Sequence, residues 1–122
     1  MKTRLGALAE DSFSFNRIDN SDDAVIVVNN NTWSEAAGTA EWWADPSGSR
    51  PGDALTATDI LGDGYGIEAH LSTGRVASTR GHDAIYSVTA TGNLTEGNTY
   101  TMWVCVVKGD YSKCSSTYSV TA

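Results

Sequence analysis

The chain has 122 residues, enough for one domain with its own hydrophobic core and too few for two ordinary ones. Its formal net charge is −7, and its eight Lys and Arg residues are scattered from Lys2 to Lys113. Nucleic acid and anionic membrane surfaces are therefore excluded as partners, because both require clustered cations.

In chain order, Met1 to Ala9 reads like the charged start and first apolar residues of a secretory signal, with Glu10-Asp11 where the rest of the apolar run should be. Residues 1–11 are taken as a leader or signal remnant, too short to span a membrane. Residues 12–122 are taken as the single domain. Phe13-Ser-Phe15 is a candidate edge strand, or an arm docking elsewhere, and Asp19 to Asp23 an acidic turn. The run Ala24-Val-Ile-Val-Val28 predicts a strand covered on both faces, broken by Asn29, Asn30 and Asn31.

Between Ser34 and Asp45, Ala36, Ala37, Ala40, Trp43 and Ala44 recur at helical spacing. Gly38 and Thr39 are poor helix formers, and the period of two from Thr39 to Asp45 fits a strand better. In that strand Trp42 shares a face with Ala40 and Ala44 and points to the core, whereas Trp43 sides with Glu41 and Asp45. Residues 46–52 form a Pro/Gly loop. Asp53 to Ile60 and Tyr65 to Ser72 predict a hairpin across Leu61-Gly-Asp-Gly64, its second arm half-buried, with Tyr65, Ile67, Ala69 and Leu71 on one face and Glu68, His70 and Ser72 on the other. Arg75 to Thr79 and Ile85 to Thr91 flank the loop Arg80-Gly-His82-Asp83, and Asn93 to Gly97 is a further turn.

The last segment carries a register argument. If Gly109-Asp110 is a two-residue type II′ turn, Lys108 faces Tyr111, Val106 faces Lys113 and Cys105 faces Cys114. That places the chain's two cysteines in a non-hydrogen-bonded pair, where Cα atoms approach closely enough for a disulfide. An in-register pair points to an oxidising compartment, so the expected location is secreted or extracellular. Trp103 shares a face with Cys105 and is expected to pack on the disulfide. With turn residues at close intervals, the pattern predicts an all-β fold: an Ig-like antiparallel β-sandwich of seven to eight strands.

The segments Gly38-Thr-Ala-Glu-Trp-Trp43, Pro51-Gly-Asp-Ala-Leu-Thr56, Asp59-Ile-Leu-Gly-Asp-Gly-Tyr-Gly66, Leu94-Thr-Glu-Gly97 and the late Cys105…Cys114 hairpin resemble small secreted proteins of filamentous soil bacteria. The likeness covers roughly Ser12 to Ala122. Some members resemble adaptor subunits of large secreted assemblies, and that is the only functional content the resemblance implies.

For chemistry, Asp59, Asp63 and Glu68 near a glycine turn are a weak calcium candidate. Asp-Gly is also a standard turn pair, which is the preferred reading. No Cys/His ligand spacing points to another metal, and no cofactor motif is present. His70 and His82 lack a serine in a nucleophile-elbow setting, so no enzymatic activity is expected. Exposed aromatics are the stronger signal, because Trp is enriched at binding hot spots. Trp43 and Tyr65 are the first candidate contacts, Trp33 a further one, with Arg80 and His82 supplying polar groups. The expected role is a secreted, non-catalytic recognition or adaptor module that contacts a protein. A carbohydrate-binding module gripping a polysaccharide is the alternative, and a secreted hydrolase inhibitor a further one.

Overall fold

The computed structural model describes residues 10–20, 23–46, 48–49 and 51–122. Among them lie ten strands and no helix: β1 (Phe13–Asn20), β2 (Asp23–Asn30), β3 (Glu35–Trp43), β4 (Ala54–Asp59), β5 (Gly66–Leu71), β6 (Val76–Ser78), β7 (Tyr86–Ala90), β8 (Thr99–Lys108), β9 (Tyr111–Cys114) and β10 (Tyr118–Thr121). One antiparallel sheet runs β1-β2-β3-β4-β7, and the other β10-β8-β5-β6 with β9 also on β8. The core lies between the two inner faces. Ile26, Val28, Ala40, Trp42, Leu55 and Ala57 come from the first sheet, and Ile67, Ala69, Leu71, Met102, Val104 and Val106 from the second.

The period of two decides most elements. β3 is extended as expected; Trp42 is fully buried and Trp43 half-buried on the other face. β5 buries Ile67, Ala69 and Leu71, and Tyr65 just before it is buried too, while Glu68 and His70 lie on the other face. Phe13 to Phe15 does belong to an edge strand, paired to β2 over eight residues as far as Asn20↔Asp23. Residues 21 and 22, at the centre of the expected acidic turn, lie outside the described residues. Most of the leader, residues 1–9, lies outside them too.

Three expectations are corrected. The β2 run is not covered on both faces: Ala24, Ile26 and Val28 are buried and Val25 and Val27 half-buried, and pairing carries the strand through Asn30. The partner arm of the last hairpin is not one strand but two. β5 occupies one edge of β8, while β9 and then β10 share the other. With that break the described residues hold ten strands against the seven to eight expected. The predicted hairpin of β4 with β5 does not form, because both edges of β4 are already taken by β3 and β7. The chain instead crosses to the second sheet.

The disulfide register holds in full. Cys105 pairs with Cys114, Val106 with Lys113 and Lys108 with Tyr111. Gly109 takes the positive φ of 56° that the first position of a type II′ turn requires. The two cysteines are bonded, with Cα atoms 4.0 Å apart. Trp103 finds its ring partner in His70, its register neighbour on β5, the two rings nearly parallel with centroids 5.3 Å apart.

Candidate functional site: a loop cleft at one end of the sandwich

The β4–β5 crossing, the β6–β7 connection and the β8–β9 turn all emerge at one end of the sandwich. Together they enclose a cleft of about 740 Å³, a size typical of small-ligand sites. Its walls carry little side-chain bulk, since Gly62, Gly64, Gly81 and Gly109 all line it. Three of these glycines have positive φ, the conformation each turn demands: 84° at Gly64, 81° at Gly81 and 56° at Gly109. The crossing that removed the predicted hairpin is thus what opens the site.

Its polar groups are positioned one by one. Arg80 donates through Nε to Glu68 Oε2 (3.0 Å) and through Nη1 to the carbonyl of Gly109 (3.0 Å), tying the β6–β7 loop to the β8–β9 turn. Glu68 also accepts from Ser78 Oγ at 2.8 Å. Burial acts to raise its pKa, but the bonds from Ser78 and Arg80 prevail and hold it below the ordinary value. The exposed ring of His82 lies flat on Tyr86, with centroids 3.9 Å apart. Asp83 completes that wall, and Ile85, 78% exposed, ends the loop.

Asp59, at the end of β4, is 3% exposed and lines the cleft. Burial raises its pKa to about 6; the N–H of Leu61 partly offsets this, and the nearby charge of Asp63 adds to it. Asp63 itself is held by a polar hub. Fully buried Asn30 donates to both Asp63 Oδ2 and Asp11 Oδ2 at 2.9 Å, and its Oδ1 accepts the Trp33 N–H. Asp63 Oδ1 accepts the Tyr65 N–H at 3.1 Å, the Asx-type turn expected of Asp-Gly.

Of the five predicted contact residues, the structure brings Tyr65, Arg80 and His82 to the cleft. Tyr65 is not the exposed aromatic that was expected: it is 6% exposed, set edge-on against Phe13 and Tyr111. Its hydroxyl donates to Glu10 at 2.6 Å and accepts the Asp11 N–H. Burial and the bond to Glu10 push its pKa up to about 12. Burial and the charges of Glu10 and Asp11 raise Tyr111 as well. Trp33, 47% exposed, sits in the β2–β3 turn at the same end without lining the cleft, whereas Trp43 closes β3 at the opposite end.

The calcium candidate is dispersed, since Glu68 pairs with Arg80 while Asp63 is engaged by Asn30. Among the described residues no three His, Cys, Asp or Glu side chains gather as a metal site would require. Sequence reasoning missed Lys108 on the cleft wall and Asn30, and it assigned Glu10 and Asp11 to the leader. Burial of Asn30 has no signal in the sequence, because an asparagine ending a β-branched run reads as a breaker.

No family model, no curated protein and no solved structure matches the chain, so the chemistry of the site is read from its own residues.

Proposed function

We propose that the protein is a secreted, non-catalytic recognition module that grips a segment of a protein partner in the loop cleft. One observation carries this reading: three loops from both sheets converge on a single glycine-walled cleft. Loops held at the end of a rigid sandwich are a common way to present a binding surface. Two of the polar groups there help build the walls, Arg80 on Glu68 and Gly109 and the Tyr65 hydroxyl on Glu10. Exposed Ile85 beside the cleft favours a protein over a polysaccharide, because an aliphatic side chain gives a sugar ring no flat face to stack on. The disulfide supports export to an oxidising compartment, and among the described residues no helix is long and apolar enough to cross a membrane.

Gly62→Trp supplies the test. A Cβ at Gly62 meets nothing within 4 Å and its φ lies outside the left-handed region, so the substitution adds bulk at the cleft wall without straining the turn. Peptides selected by display against the wild type, and an array of chitin, cellulose and peptidoglycan oligomers, are then tested on the variant. The expected result is peptide ligands that weaken at least tenfold on Gly62→Trp while its Tm is unchanged. Peptides that bind both proteins equally would remove the cleft from the account, and cleft-dependent binding of glycans alone would transfer the site to carbohydrate.

A further inference from the structure

Two carboxyls line the cleft, exposed Asp83 and buried Asp59, and Asp59 is held there without a counter-charge among the described residues. Among the described residues it has a single hydrogen bond, from Leu61 N to Oδ1 at 3.4 Å, and no ion pair. The cations on the same walls are engaged elsewhere: Arg80 with Glu68 and Gly109, and Lys108 with its Nζ 4.9 Å from the centre of the Tyr65 ring. Asp63 approaches from the β4–β5 crossing, and Arg80, His82 and Asp83 from the β6–β7 loop. Tyr65 opens onto the cleft from the start of β5 and Lys108 from β8, while Tyr86 of β7 and Gly38 of β3 flank Asp59 in the sheet.

We propose that Asp59 is the counter-ion for a primary ammonium group that the ligand brings into the cleft, presented by a lysine side chain of the partner. The inference rests on the cleft being the binding site. A carboxyl held out of water without a partner is unfavourable, and an incoming cation relieves it. The geometry selects the kind of cation. Oδ1 already accepts the Leu61 N–H at 3.4 Å, which leaves Oδ2 as the less encumbered oxygen for a point charge. A guanidinium pairs best with two free oxygens, whereas an ammonium needs one. A metal ion would need further ligands that are not gathered there. The net charge of −7 steers a cationic segment toward the protein.

The test uses four probes on the 15N-labelled protein: acetylated, amidated Gly-Lys-Gly, Gly-norleucine-Gly and Gly-Arg-Gly, and a fully deacetylated glucosamine tetramer. The amide signals of Gly62, Gly64 and Gly81 report occupancy. The lysine peptide is expected to bind at least tenfold more tightly than the norleucine and arginine peptides. Its affinity should fall up to tenfold per pH unit below about pH 6, as a proton competes for the carboxylate. Asp59→Asn should abolish both the preference and this pH dependence. Equal binding of norleucine or arginine, or full affinity in Asp59→Asn, overturns the assignment. Stronger Asp59-dependent binding of the glucosamine tetramer overturns a lysine source. If no amine moves the cleft signals while displayed peptides still fail on Gly62→Trp, the ammonium assignment alone falls.

Discussion

A largely buried carboxyl that lacks a cation destabilises the fold that holds it, and Asp59, 3% exposed, is such a residue. Displacement of its pKa from 3.8 to about 6 means that the folded protein binds this proton more tightly than the unfolded chain. Between about pH 4 and pH 6 the native state therefore carries the extra proton, and the stability contributed by this group falls as pH rises through that window. At about 1.4 kcal/mol per unit, the cost at pH 7 is roughly 2–3 kcal/mol. Asp59→Asn keeps the acceptor for the Leu61 N–H and removes the charge. It should be more stable than the wild type at pH 7 by up to that amount and indistinguishable near pH 4, as read by urea unfolding at both values. Equal stability at pH 7 would show that the charge carries no penalty. Retaining a costly carboxylate on a cleft wall is the pattern of a functional group, since strongly perturbed carboxyls cluster at binding and catalytic sites.

At the scale of elements, the β8–β9 hairpin links the fold to the site, because its turn supplies Gly109 to the cleft and a carbonyl to Arg80. The Cys105–Cys114 bond closes a short loop around that turn. Replacing both cysteines by alanine should cost about 2.5–3 kcal/mol in the chain-entropy account, measured by chemical denaturation against the wild type. A loss below about 0.5 kcal/mol would show that strand pairing alone holds the turn. Here the sequence was most legible: in-register cysteines, a Gly at the first turn position and alternation along β5 were local signals, and local signals specify hairpins. The β4–β5 hairpin was misread for the converse reason. Leu61-Gly-Asp-Gly64 has turn chemistry whether its arms pair with each other or part, and what separates them is the occupation of both β4 edges by β3 and β7. That competition is non-local and leaves no mark within the segment.

For the molecule as a whole, the same limit explains which site residues could be foreseen. Arg80 and His82 stand in a loop with evident polar character, so their exposure was readable. The convergence of three loops was not, because it depends on which sheet each strand joins. Trp43 and Trp33 were singled out as exposed aromatics, yet β3 places them at opposite ends of the sandwich. Glu10 and Asp11, assigned to a leader, bond to Tyr65 and Asn30 at the end where the cleft opens. The central claim is that this end, rather than the Trp43 face, meets the partner. The most direct measurement is amide hydrogen exchange by mass spectrometry on the wild type, with and without the tightest ligand from the display and glycan screens. The account predicts slowed exchange in all three segments 60–66, 79–85 and 108–111 and no change around Trp43. Protection confined to Glu35–Trp43 and its strand neighbours, with the three loops unaltered, would contradict it.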